Sequence, residues 1–248
     1  MTITPFPPVI EGRDAPADLI LVCDHASHAI PMRWGDLGLT AAARQAHIAW
    51  DIGALGLMRG LAARLGAAMV HATVSRLVYD CNRAPDMAGA MPARSETYDI
   101  PGNAAITPAE RLARTQAVYL PFHAGLQGLI AERMALGRRP AVITVHSFTP
   151  VWHGQPRAVE FGVIHDACDR LAQAILQQAQ AQTGLQCALN APYSAADDVT
   201  HTLRLQATPH GLRNAMLEIR NDLITTPAQQ AAMADTLAPV IAAALAGV

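Results

Sequence analysis

This 248-residue chain is short of charge and of aromatic rings: 15% of its residues are charged against 51% hydrophobic, and aromatic rings make up only 4%. Globular domains typically carry about a quarter charged residues. So low a charge content suits a large sheet covered on both faces by apolar helices, around an Ala/Leu-rich core. The formal net charge is −2, with no basic cluster, so the electrostatic footprint of a nucleic-acid binder is missing. No apolar run is long and polar-free enough to cross a bilayer, and the opening MTITPFPPVIEG lacks the basic start and apolar core of a secretion signal. A cytoplasmic protein without a membrane partner is expected. Cys23, Cys81, Cys168 and Cys187 show no C-x-x-C spacing, which suggests neither a disulfide framework nor a zinc ribbon. They read as small core residues. Neither a Ser/Gly-rich linker nor a charge run divides the chain, so residues 1–248 are expected to form one domain.

What is present is an alternation of apolar strands and helices, with polar residues at the strand ends. Asp18–Cys23 has the length and Leu/Ile/Val content of a buried strand and stops at Asp24, His25, Ser27 and His28. Helical character follows from Ala41, with interruptions, to Leu65, and Ala67–Thr73 reads as a second strand, making a β-α-β unit and a parallel sheet. Ser75–Pro85 (SRLVYDCNRAP) is the densest polar cluster, and 85–103 reads as a long loop able to cover a site. Thr107-Pro108-Ala109-Glu110 is a capping box that starts a helix running toward Gly137, kinked at Pro121. The run from Ala141 ends in His146 and Ser147, Ala158–His165 and Ala215–Arg220 read as further strands, and Thr226-Pro227-Ala228-Gln229 caps a final helix.

In open α/β sheets ligands collect beyond the carboxyl ends of the strands, so His25 and His146 converge on one edge as candidate metal ligands. His28, Asp51 and His47 compete for the third position. Zinc suits a mixed imidazole and carboxylate set. Glu218, in an otherwise apolar strand, is the candidate general base, against a structural ion pair with Arg220. Arg76 and Arg83 suit bidentate capture of a carboxylate, with Asn82 adding amide contacts, which points to a small anionic substrate, against structural salt bridges of Arg76 with Asp80 and of Arg83 with Asp86. Arg220 at the end of its strand is open to the same reading or to a salt bridge. A Ser147 or Cys23 nucleophile has little support: His146 and Ser147 face opposite ways on a strand, and no G-x-S-x-G elbow occurs.

Taken together, CDHASHAIP, HIAWDIGA, SRLVYDCNRAP, TVHSFTP, NAPYS and LEIRNDLI resemble the N-formylglutamate amidohydrolase family over Leu21–Ile224. The resemblance implies kinship with zinc carboxypeptidases and aminoacylases, and a phosphorylase/hydrolase-like α/β/α three-layer sandwich with a mostly parallel mixed sheet. It implies one zinc ion on His25, Asp51 and His146, with His28 less favoured because relatives carry other residues there. It further implies Glu218 as base, Asn82-Arg83 as the pair holding substrate carboxylate, and hydrolysis of an N-formyl or other N-acyl amino acid. The alternative is a non-catalytic binding protein for acidic metabolites that keeps the arginines.

Overall fold

The computed structural model describes residues 4–248. Its strands in chain order are β1 (Val9–Glu11), β2 (Leu19–Cys23), β3 (Ala68–His71), β4 (Arg94–Ser95), β5 (Tyr98–Asp99), β6 (Ala141–Phe148), β7 (Val151–Trp152), β8 (Gln155–Pro156), β9 (Phe161–Ile164), β10 (Cys187–Leu189) and β11 (Asn214–Arg220). The α-helices are α1 (Ala54–Leu65), α2 (Pro101–Ala104), α3 (Pro108–Arg114), α4 (Leu120–Ala135), α5 (Arg170–Gln182), α6 (His201–Gln206) and α7 (Pro227–Ala246). Seven strands pair in the order β1-β3-β2-β6-β11-β9-β10. The run β3-β2-β6-β11 and the β9-β10 pair are parallel, whereas β1 on β3 and β9 on β11 are antiparallel. The mixed, mostly parallel sheet matches the fold expected from the sequence. Its first antiparallel pair comes from β1, hidden in the Pro-rich lead-in. The second arises because β6 and β9 are joined by the β7–β8 hairpin with no helix between them, and a parallel return needs a long crossover.

Alternation within β2 divides the core in two. Leu19, Leu21 and Cys23 pack into a cluster with residues of α1, α5 and α7, while Ile20 and Val22 pack into the opposite cluster with Leu126 and Ile130 of α4 and Leu203 of α6. Side chains of successive strand residues point to opposite faces, so a central strand covered on both sides has to be apolar throughout. No helix among the described residues is long and apolar enough to cross a membrane.

Three local expectations change. The segment before α1 is a series of turns around a 3₁₀ turn at Ala43–Gln45, because Ala46 is extended and Gly53 takes the left-handed region at φ +81°. His47 and Asp51 therefore share no helix face. The helix from Pro108 bends through a π turn at Thr115–Tyr119, just ahead of Pro121, which sits in the first turn of α4 where its missing N–H costs least. The stretch 85–103 is ordered into the β4–β5 hairpin and the start of α2 rather than left irregular.

Gly53 is the position where backbone freedom is required. A Cβ there would lie 2.1 Å from the Ile224 carbonyl oxygen, in a left-handed backbone. Gly53→Ala is expected to cost about 3 kcal/mol or more, roughly 6–12 °C of melting temperature for a chain of this size. Calorimetry checks it, and an unshifted transition would contradict the close approach.

Candidate active site

The site begins where three neighbouring strands run out of apolar residues. On β6 and β11 the residues facing the α4/α6 layer run Val142, Thr144, His146 and Met216, Glu218. Register pairs Glu218 with His146, so base candidate and imidazole stand side by side. Asp24 and His25 follow directly after β2, and Asp51 enters from the turn before α1, its backbone N–H donating to the His25 carbonyl at 3.0 Å. All five side chains are buried.

Asp51 is the hub. Its Oδ2 lies 2.8 Å from His146 Nδ1 and 3.3 Å from His25 Nδ1. The far nitrogens face two further carboxylates: His25 Nε2 is 2.7 Å from Asp80 Oδ1, and His146 Nε2 is 3.1 Å from Asp24 Oδ1. Asp24 is braced in turn by the Thr202 hydroxyl, which donates to Oδ2 at 2.6 Å. Arg76 spans two of the acids, Nη2 to Asp80 Oδ2 at 2.6 Å and Nη1 to Asp51 Oδ1 at 3.3 Å. The pattern is that of metal-binding histidines whose outer nitrogens are oriented by carboxylates. Ligand atoms of Asp24, His25 and His146 also lie within 4.8 Å of one another. Both His25 and His146 have a carboxylate close to each ring nitrogen, so Asp24 and Asp51 both offer an acidic group to an ion held by the imidazoles. Asp51 is favoured because its one oxygen meets both Nδ1 atoms.

The charges tell the same story. Asp24, Asp51 and Asp80 against Arg76 leave two formal negative charges in a buried site when the imidazoles are neutral. Burial opposes protonation of His25 and Arg76 repels it, yet Asp80, Asp51 and Asp24 push its pKa up to about 10. His146 is raised as well, against burial, by Asp24 and Asp51. Burial raises the carboxyls of Asp51 and Asp80, but His25 and His146 hold Asp51, and Arg76 with His25 holds Asp80, below the usual range. A divalent cation bound here would stand in for the two protons that the imidazoles otherwise take up. Glu218 Oε2 is buried with no hydrogen-bond partner, and Asp24 Oδ1 and His146 Nε2, 3.1 Å apart, face each other without hydrogen-bond alignment. Such orphans are rare and call for a bound group. The donor set, two imidazoles and a carboxylate, fits zinc. Glu218 is pushed up to about 7, first by burial and then by Asp51, against the pull of His146, His25 and Arg76.

His25, Asp51, Arg76, Asp80, His146 and Glu218 line a cavity of about 590 Å³, together with Arg83, Arg157, Tyr193, Phe148 and Trp152, while Asp24 lies behind its lining. Not every residue singled out in the sequence reaches it in a usable state. The Asn82 side chain spends its amide on the Val199 carbonyl and its oxygen on the Thr202 N–H, tying the Arg83 loop to α6. Arg83 keeps a free face: among the described residues its partners are the carbonyls of Asn82 and Asp198. Arg220 lies outside the cavity lining, paired with Glu160 at 3.3 Å and Asp222 at 2.8 Å. His28 is exposed against Trp50, and His47 is engaged by Glu96 at 2.9 Å. The Ser147 hydroxyl donates to the Ile52 carbonyl, and burial pushes the Cys23 thiol up, so neither is an activated nucleophile. Sequence reasoning gave no role to Asp24, foresaw Asp80 only as a salt-bridge partner of Arg76, which it is at 2.6 Å, and gave none to Arg157 or Tyr193. Asp80 was open to discovery, since the same string carries Arg76, Asn82 and Arg83; Arg157 has no local signal.

The family model for N-formylglutamate amidohydrolase matches residues 17–225 of the chain. Among solved structures it is similar to gene product Atu2144 from Agrobacterium tumefaciens, at 50% identity and TM-score 0.95, covering 98% of this chain and 96% of that one. It is also similar to N-formylglutamate amidohydrolase from Ralstonia eutropha JMP134, at 17% identity and TM-score 0.67, covering 98% and 99%; a likeness at that identity speaks for the fold. No curated protein matches.

Proposed function

The chain belongs to the N-formylglutamate amidohydrolase family, and from that premise we propose that it is a zinc-dependent hydrolase of an N-formyl or other N-acyl amino acid. The observation that carries this reading is the single oxygen of Asp51 shared by the Nδ1 atoms of His25 and His146, beside the orphaned carboxylate of Glu218. His25, Asp51 and His146 would hold the ion, with Asp80 and Asp24 orienting the imidazoles and Arg76 fixing Asp51 against Asp80. A zinc ion there supplies Lewis acidity toward an amide carbonyl and acidifies water.

The remaining work falls to the chain's own groups. Glu218 takes a proton from water at one of its carboxylate oxygens and hands it to the leaving amine nitrogen, so that it acts first as base and then as acid. A carboxyl with pKa near 7 suits both tasks at neutral pH. Arg83 holds the α-carboxylate of the amino-acid portion through its free guanidinium edge. The buried walls keep bulk water from competing for these charges. Zinc titrated into chelator-stripped protein, followed by calorimetry, tests the metal half: one equivalent bound per chain is expected. A chain with no affinity for zinc would overturn the reading and leave a binding protein for acidic metabolites.

A further inference from the structure

At the end of β11 remote from Glu218 and Arg220 lies a second cavity, of about 200 Å³, which shares no lining residue with the first. Residues that open α5 form one wall, and the stretch from the 3₁₀ turn at Thr208–His210 to Asn214, the first residue of β11, forms the other. That second wall is tied down from both sides. Arg213 Nη1 donates to the backbone oxygens of Leu245 and Val248 at 2.9 Å each, and Arg139 Nη2 to those of His210 and Gly211 at 3.1 Å each.

Three kinds of group meet in this lining. Asn214 is only 1% exposed, yet its Oδ1 has no hydrogen-bond partner, and Thr208 Oγ1 is buried and unpartnered beside the same cavity. Such buried atoms call for a bound group. The start of α5 carries no side-chain cap, because the Asp169 carboxylate is taken up by the Gln173 amide at 2.5 Å instead. First-turn amides left in that state favour an anion. Arg170 is exposed at the first position of α5, and among the described residues neither a carboxylate nor a carbonyl engages its guanidinium. Leu171 and Leu212, both buried, supply the apolar part of the lining.

Each group selects one part of a ligand. The α5 terminus and Arg170 suit a carboxylate. Two separate acceptors ask for several donors on one atom, which an ammonium has and a hydroxyl has not. The leucines suit an aliphatic body. At roughly 30 Å³ per water-sized group, 200 Å³ takes about seven of them, the scale of a small organic acid.

We propose that this cavity is a binding site for a small aliphatic α-amino acid. Its carboxylate lies at the start of α5 with Arg170, its ammonium on Asn214 and Thr208, and its side chain on Leu171 and Leu212. No part of the assignment rests on the hydrolase reading.

The protein carries its own reporter for the test. Cys168 is an exposed thiol in the lining of this cavity, and the half-buried Cys187, outside the lining, is the internal reference. The full chain is alkylated with iodoacetamide in the presence of L-leucine, and each cysteine is followed by peptide mass spectrometry. Leucine at about ten times its dissociation constant is expected to slow Cys168 about tenfold and to leave Cys187 unchanged. Isocaproate, which lacks the ammonium, and isoamylamine, which lacks the carboxylate, are expected to protect at least about 10-fold more weakly, the worth of one charge-assisted contact. Arg170→Gln is expected to weaken leucine by about the same factor, and Asn214→Leu to abolish the preference for leucine over isocaproate. Arg83→Gln is expected to keep full protection, which sets this site apart from the catalytic cavity.

Leucine that leaves Cys168 unprotected up to its solubility, that slows Cys168 and Cys187 alike, or that is matched by isocaproate overturns the site. So does full protection in folded Arg170→Gln, or loss of protection in Arg83→Gln, which would seat leucine in the catalytic cavity. If melting shows Asn214→Leu to be unfolded, Arg170→Gln, at an exposed position, decides.

Discussion

Glu218→Gln is expected to reduce turnover by about 10²- to 10⁴-fold, the usual worth of a positioned general base, with folding and zinc affinity retained. The substitution keeps the shape of the side chain and its place beside His146 on β11, and removes only the ability to accept a proton. The pH dependence follows with a definite sign. The carboxylate is the active form of the base, so activity falls as pH drops through the pKa of Glu218, which burial pushes up to about 7 against the pull of His146, His25 and Arg76. A divalent cation beside it favours the ionised form, which places the acidic limb of kcat/KM at or below that value. Rate profiles of both proteins check this: the limb should vanish from the residual activity of the Gln variant. Full turnover in that variant, or an unchanged limb, would assign the base to another group.

The second large effect concerns which aspartate binds the ion. Asp51→Asn is expected to lower zinc affinity well over 100-fold, beyond the roughly 10- to 100-fold typical of losing an outer-shell partner, while Asp24→Asn and Asp80→Asn stay within that range. The reason is geometric: Asp51 Oδ2 meets Nδ1 of both histidines, whereas Asp24 and Asp80 each address the outer nitrogen of one. Competition titration against a chromophoric chelator measures all three. A larger loss in Asp24→Asn than in Asp51→Asn would make Asp24 the acidic ligand and Asp51 the orienting group.

How far the sequence could lead depends on the kind of signal each residue leaves. His146 and Glu218 stood out because each interrupts an apolar strand, and His25 because it follows one directly; on neighbouring parallel strands such positions fall on one edge by construction. Asp51 was legible only through its motif, since the helix expected around it is a chain of turns that Ala46 and Gly53 break. The roles of the arginines were not legible. Arg76 reads in sequence either as a substrate anchor or as a salt-bridge partner of Asp80, and a guanidinium within reach of two buried aspartates is drawn to them first. Arg220 looks the same and is spent on Glu160, Asp222 and the Arg157 carbonyl. Arg157 itself gains its setting from Phe148, Trp152 and Tyr193, of which Tyr193 is 36 residues away in the chain. The fold shows the same division. Apolar runs announce the parallel centre of the sheet, while β1 and the antiparallel β9 depend on pairing partners and connections that no local pattern carries.

The central claim, an amide hydrolase that depends on the ion held by His25, Asp51 and His146, is tested most directly by following N-formyl-L-glutamate by NMR with chelator-stripped and zinc-reloaded protein. Formate and glutamate appearing in equal amounts with the reloaded protein, and neither with the stripped protein, is the result predicted. Equal rates from the two preparations, or no formate from a chain shown to have zinc bound, would contradict it.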